Sequence, residues 1–146
     1  MTSGRQAIGP EEIATLIPHS GSMCLLDHLV TWDHQAIEAV AVDVHSEHNP
    51  LREDGMLHSV VLVEYAAQAA AIHAALNEGS IGGNSVAYIG AIKSMTLHQP
   101  RVDPSDSELH CVACCVLNNA NGAIYQLTVS ANQKILMDAR VVMVLP

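Results

Sequence analysis

Glu64 is the residue of this chain best suited to acid–base chemistry. Val61, Leu62, Val63, Tyr65 and Ala67 surround it in sequence. A carboxylate among such neighbours is costly to bury unless it is paired or protonated. Burial of that kind raises a carboxyl pKa and leaves a proton available to a general acid. Gln68 follows four residues on, so in a helix both side chains project from one face. The same pair would equally suit a partly solvated face with Glu64 as ordinary surface.

Nine histidines offer candidate bases. His48 falls in a polar loop, His58 stands six residues before Glu64, and His73 lies more than two helical turns beyond it. His28, His34, His45, His98 and His110 are scattered. None forms HxxxH or HxH with a carboxylate at ligand spacing, so no metal and no cofactor is expected. No Gly-x-Ser-x-Gly elbow supports a serine hydrolase. Cys24 stands alone, and Cys111, Cys114 and Cys115 form CVACC. A zinc or redox role is conceivable for that spacing, but the flanks HCVACCVLN read as a buried strand using cysteines as small hydrophobes.

The element that must position Glu64 is Leu57 to Leu76, LHSVVLVEYAAQAAAIHAAL. Alanine is the best helix former, and a helix apolar on nearly all faces is buried. Its length is near the roughly 20 residues of a bilayer span, but His58, Glu64, Gln68 and His73 interrupt it. We read it as the central helix of a soluble domain. Around it, residues 1–8 read as a flexible end. Pro10 with Glu11 and Glu12 opens a short helix ending at Pro18, and a turn follows at Gly21. Met23–Asp33 and Gln35–Val44 read as a hairpin turning at Asp33–His34. His45–Gly55 is a polar loop, and the residues after Asn77 form a glycine-rich connection that follows no strand and so is no phosphate loop. Four strands follow: Ser85–Gln99 with Gly90 as a bulge, Glu108–Asn119, Ala123–Gln133 and Lys134–Leu145. Asn121-Gly122 signals the hairpin turn between the second and third of these. One helix must then be covered by one antiparallel sheet, an α+β single domain over residues 1–146.

Composition narrows the partners. The hydrophobic content is 49%, with no Phe and one Trp, so the core is aliphatic and alanine-rich. A formal charge of −9 with only six Lys plus Arg argues against nucleic acid or an anionic membrane. The first residues lack the long apolar run of a signal peptide, and reduced thiols in the cytoplasm are the expectation.

Three segments together resemble the hotdog-fold 3-hydroxyacyl-[acyl carrier protein] dehydratases of type II fatty acid synthesis. Ile17-Pro18-His19-Ser20 through Cys24-Leu25-Leu26-Asp27-His28 looks like the family's Pro-His-Arg segment leading into Leu-Val-Asp-Arg. Leu62-Val63-Glu64-Tyr65-Ala66-Ala67-Gln68-Ala69 looks like its helix motif. Ala87 to Lys93, continuing from Gln99-Pro100-Arg101 to Pro104-Ser105-Asp106, is similar to its strand and Pro-x-x-x-Pro-x-Asp turn. The wording is closest to the divergent branch of aryl-polyene clusters.

The resemblance implies a hotdog fold, a sheet wrapped around one long central helix, and a homodimer or a hetero-oligomer with another hotdog dehydratase. It implies dehydration of a 3-hydroxyacyl thioester on an acyl carrier protein. A loop His removes the C2 proton, a helix carboxyl from the other subunit protonates the departing hydroxyl, and an N–H at the helix start holds the thioester carbonyl. Glu64 takes the carboxyl's place. The loop departs: HNPLREDGMLHS contains no His-Phe-Pro, and ungapped counting puts Pro50 at the family's His position. His48 and His58 are the remaining bases, each alternatively a histidine without a role. Ser59 falls at the family's helix-start Gly. Ser59, Tyr65, Gln68 and His73 are assigned to substrate binding, with His73 alternatively a core histidine bonded to a backbone carbonyl. His19 matches a structural family His. Arg52, Lys93 and Arg101 border the site and would meet an acidic carrier protein. Two other functions stay open: a catalytically degenerate subunit paired with an active dehydratase, and an acyl-thioester hydrolase.

Overall fold

The computed structural model describes residues 9, 11–13, 24–78 and 88–144. The end of the first short helix, the turn at Gly21, His19 and the glycine-rich connection lie outside the described residues. The strands are β1 (His28–Trp32), β2 (Ala36–Ala41), β3 (Tyr88–Leu97), β4 (Leu109–Asn119), β5 (Gly122–Ala131) and β6 (Lys134–Val144). Between β2 and β3 a 3-10 turn, Ser59–Val61, leads into the helix α1, Leu62–Glu78. All six strands pair antiparallel in the order β1-β2-β4-β5-β6-β3.

Period-two patterning puts Ile37, Ala39, Leu109, Cys111, Ala113, Leu127, Val129, Met137, Ala139 and Val141 under α1, all buried. From the helix, Leu62, Tyr65, Ala66, Ala69, Ala70 and Ile72 close the core. The alanines let the helix sit close to the sheet, and each larger aliphatic contributes about 1.5–3 kcal/mol by leaving water. Ser59–Asn77 is apolar and long enough to cross a membrane, but most of it is enclosed by the sheet.

The turns show what local sequence decides. Asp33 Oδ1 accepts the N–H groups of Gln35 at 2.8 Å and Ala36 at 2.9 Å, which makes the expected β1–β2 turn. The Asn121-Gly122 signal is read differently by the structure. Asn119 pairs with Gly122, and neither Ala120, Asn121 nor Gly122 takes a positive φ. Gly122 is instead required by close approach, since a Cβ there would stand 2.4 Å from the Met143 carbonyl oxygen. The left-handed two-residue turn lies between β5 and β6, at Asn132 (φ 50°) and Gln133 (φ 66°).

β3 carries the expected bulge at Gly90 and a second at Lys93. The two insertions bring Ile89, Ile92, Met95 and Leu97 opposite Met143, Val141, Ala139 and Met137. All four β3 side chains therefore share the helix-side face. α1, however, lies across β2, β4, β5 and β6 and only grazes β3. Ile92 and Leu97 are left exposed on an edge strand.

Candidate active site

The start of α1 is fixed by a small crossing of chains. The Ser59 N–H donates to the Pro100 carbonyl at 3.0 Å, the Val102 N–H donates to the Leu57 carbonyl at 2.9 Å, and His58 bridges to Arg101. The 3-10 turn then uses the Val61 N–H on the His58 carbonyl and the Leu62 N–H on the Ser59 carbonyl. The Val60 N–H is the donor in neither of these bonds, and Val60 is an exposed residue at the positive end of the helix. That end favours an oxygen on which negative charge develops.

Glu64 stands in the first turn of α1, and it is exposed. The apolar pocket expected from its sequence neighbours is not built by the chain on its own. Val63 and Tyr65 lie about 100° away on either side of the helix and turn into the core. Val60, one turn earlier, shares the exposed face with Glu64. This stripe and the uncovered apolar face of β3 make the open surface of the helix side.

The residues assigned to substrate binding sit deeper. Ser59 is fully buried, and its Oγ has no hydrogen-bond partner. Tyr65 is buried, with its hydroxyl accepting the Asn49 side-chain N–H at 2.7 Å, and burial raises its pKa. Gln68 is buried and its Oε1 accepts the Leu25 N–H at 3.0 Å, which ties the segment before β1 to the helix. His73 is enclosed by β1, β5 and the helix. Its Nε2 donates to the Asp33 carbonyl at 2.8 Å, so Nδ1 accepts the Tyr125 hydroxyl at 2.6 Å. Burial holds its pKa below the usual histidine value, offset in part by the Asp33 carbonyl.

The candidate bases stay apart from Glu64. His48 projects into solvent, with Nε2 3.8 Å from Glu47. His58 is half-buried, with Nε2 3.9 Å from Glu53. Neither is hydrogen-bonded or ion-paired to Glu64 in the chain. Arg52 and Arg101 gather at the loop before the helix. The Arg52 guanidinium lies near Gly55 and its Nε is buried without a partner, while Arg101 Nη1 is 3.7 Å from Met56 Sδ. Lys93 is exposed in the second β3 bulge. Among the described residues, none of the three cations is in an ion pair.

Two clusters had no signal in the sequence. Asp33, His73 and Tyr125 meet across separations of 40 and 52 residues. Glu38, Glu108 and His110 meet on the other face of the sheet. Packing of α1 on the sheet brings the first set together, and the pairing of β2 with β4 the second.

A family model described as ApeP-like, ApeP dehydratase, matches residues 11–146. No curated protein sequence matches the chain. Among solved structures, the dehydratase heterocomplex ApeI:P from Xenorhabdus doucetiae superposes with a TM-score of 0.81 at 15% identity, covering 92% of this chain and 91% of that one. A mutant of thioesterase PA1618 from Pseudomonas aeruginosa gives 0.66 at 13%, over 99% and 98%. Thioesterase HI1161 from Haemophilus influenzae gives 0.56 at 16%, over 81% and 76%. At these identities the likeness is one of fold, and that fold is the hotdog.

Proposed function

The chain belongs to the ApeP-like dehydratase family, and from that premise we propose that it dehydrates a 3-hydroxyacyl thioester held on an acyl carrier protein. The observation that carries this reading is Glu64, a carboxyl exposed on the first turn of a mostly apolar central helix. In the reaction a base takes the C2 proton and the Glu64 carboxylic acid gives its proton to the C3 oxygen. The C3–O bond breaks, water leaves, and the C2–C3 double bond forms. The Val60 N–H holds the thioester carbonyl oxygen as charge develops on it. Arg52, Lys93 and Arg101, free of ion pairs, receive the acidic carrier protein against a background charge of −9. The work is done in the cytoplasm, on chains of the fatty-acid or polyene type.

A second subunit completes the site in this reading. The uncovered faces of β3 and α1 need a cover, and neither His48 nor His58 reaches Glu64 within the chain. Another hotdog chain would supply both the cover and the base; the similar ApeI:P is itself a dehydratase heterocomplex. The absence of His-Phe-Pro from the loop favours this division of labour over two identical sites.

The test is mass spectrometry of a 3-hydroxyacyl-carrier protein incubated with the chain alone, with a co-encoded hotdog partner, and with Glu64→Gln in each setting. Loss of one water with wild type, reduced at least about a hundredfold by the substitution, is the expected result. Activity only in the mixture would assign the base to the partner. No activity from the chain alone, with activity in the mixture that survives Glu64→Gln, would leave this chain a degenerate subunit. Release of free acid would make it a thioesterase.

A further inference from the structure

We propose that Asn49 and Tyr65 are positioning residues that act through Arg52. Their hydrogen bond holds the loop before α1, and so sets the Arg52 guanidinium in advance for the acidic carrier protein. The proposal rests on the carrier-protein reading above and names what builds one of its docking cations.

The loop, residues 42–58, is tied at both ends to the segment before β4. At its start the Val44 N–H donates to the Ser107 carbonyl at 3.2 Å, and His45 Nε2 donates to the Asp103 carbonyl at 2.9 Å. At its end the Leu57 carbonyl accepts the Val102 N–H at 2.9 Å. Between these ties, its one hydrogen bond to α1 among the described residues runs from Asn49 Nδ2 to the Tyr65 hydroxyl, at 2.7 Å. Asn49 also gathers the loop around itself. Its Nδ2 donates to the Val44 carbonyl at 2.7 Å, and its Oδ1 accepts the Leu51 N–H at 3.0 Å. Its carbonyl accepts the Arg52 N–H at 3.2 Å, and its own N–H donates to the Ser46 carbonyl at 3.0 Å. Both amide protons and the amide oxygen are used, a set that Asp, with no proton to give, does not make. Tyr65 is 1% exposed, so the bond fastens the loop to the core and not to a moving surface group.

Arg52 takes its place from this knot. Just beyond it, Glu53 and Met56 exchange backbone bonds of 2.8 and 3.0 Å around Asp54 (φ 53°) and Gly55 (φ 76°), a tight left-handed turn. The Arg52 side chain is half-buried, and Nη2 would stand 3.6 Å from a Cβ on Gly55, so the guanidinium rests on that turn. Glu53, the nearest acid in sequence, has its Oε1 3.9 Å from His58 Nε2. Arg52 therefore offers an unpaired charge from a fixed position. A side chain ordered before binding loses less freedom on binding than one that must be ordered by its partner. In this reading Tyr65 serves the loop, not the acyl chain.

Butyryl-carrier protein has no 3-hydroxyl and cannot lose water, so its binding is measured apart from the reaction. Fluorescence anisotropy gives its Kd for wild type, Tyr65→Phe, Asn49→Asp and Arg52→Ala, and for each of the first two substitutions combined with Arg52→Ala, all with the hotdog partner present. Each single substitution should weaken binding by about fivefold, and Tyr65→Phe or Asn49→Asp by less than about twofold once Arg52 is alanine. In Tyr65→Phe the Leu51 and Arg52 amides should exchange with solvent about fivefold faster, and those of residues 66–72 as in wild type. Tyr65→Phe keeps the ring in the core and the Asn49 bond to Val44, so it reports even where Asn49→Asp disturbs folding. Equal losses with and without Arg52 would reduce the pair to a structural role and overturn the proposal. So would unchanged binding in Tyr65→Phe, unchanged exchange at Leu51 and Arg52, or no binding by the wild type. Binding that follows the expected pattern, without loss of water from the 3-hydroxyacyl substrate, would sink the dehydratase reading and leave this proposal standing.

Discussion

His73, assigned from the sequence to substrate or to the core, is held by both ring nitrogens, between the Asp33 carbonyl and the Tyr125 hydroxyl. The tyrosine ring also meets it edge-on at 5.5 Å. Burial disfavours the charged ring and lowers its pKa, although the Asp33 carbonyl would accept from a protonated ring as well. The unfolded chain, with His73 near its ordinary value of 6.5, then binds more protons than the folded one below that pH. The stability contributed by this group is whole above about pH 6.5 and is lost as pH falls through the lowered value. Urea unfolding of wild type and His73→Asn across pH 5 to 8 measures it. The stability difference should be largest above pH 6.5 and shrink toward acid. A difference independent of pH would show that His73 contributes packing alone. Glu64 teaches the complementary lesson. Its identity and its place on the helix were legible in the sequence, but its surroundings were not. Adjacent residues on a helix point about 100° apart, so apolar neighbours in sequence need not be neighbours in space.

Among the elements, helix and strands were legible because periodicity and alanine content are local properties. The details decided by cross-strand contact were not. Asn121-Gly122 has the composition of a left-handed turn, yet Gly122 serves the approach of Met143, and the left-handed turn falls at Asn132 and Gln133. Gly90 and Gly122 make the distinction measurable. A Cβ at Gly122 meets the backbone oxygen of Met143 at 2.4 Å, whereas one at Gly90 meets a side-chain methyl of Val144 at 2.3 Å. Backbone held in the β5–β6 ladder yields less than a valine side chain at the end of β6. Gly122→Ala should therefore cost about 2–3 kcal/mol and Gly90→Ala distinctly less, read from denaturant midpoints at unchanged m. The reverse order would mean that the bulge, not the hairpin, is the rigid point. Cys111, Cys114 and Cys115 follow the strand reading in the same sense. Cys111 is buried in the core with its thiol pushed up to about 12, and Cys114 faces out.

For the whole molecule, charge and apolar surface point the same way. The carboxylates of Asp27, Glu38, Glu47, Glu53, Glu108 and Asp138 each pair with a histidine: His28, His48, His58, His98 or His110. Arg52, Lys93 and Arg101 remain outside ion pairs around the helix start and β3, in a chain with fifteen acids. The same side carries the edge strand whose two bulges turn Ile92 and Leu97 toward a helix that does not cover them. An unprotected apolar edge is a template for pairing with another chain. A lysine in that face would set there the charge that edge strands commonly use to stay single. Because Ile92 is 47% exposed, Ile92→Lys should change the stability of the lone chain by no more than about 0.5 kcal/mol. It should weaken association by at least about tenfold, since the substituted side chain would be desolvated without a partner. Sedimentation of both proteins, alone and mixed with the hotdog partner, separates the outcomes. A wild type that stays monomeric in both settings, or a variant that assembles as well as wild type, would place the cover of α1 elsewhere. If association and dehydration fall together in Ile92→Lys while Glu64 is intact, the active site is built between chains. The exposure of Glu64 in the single chain is then the expected state of a half-site.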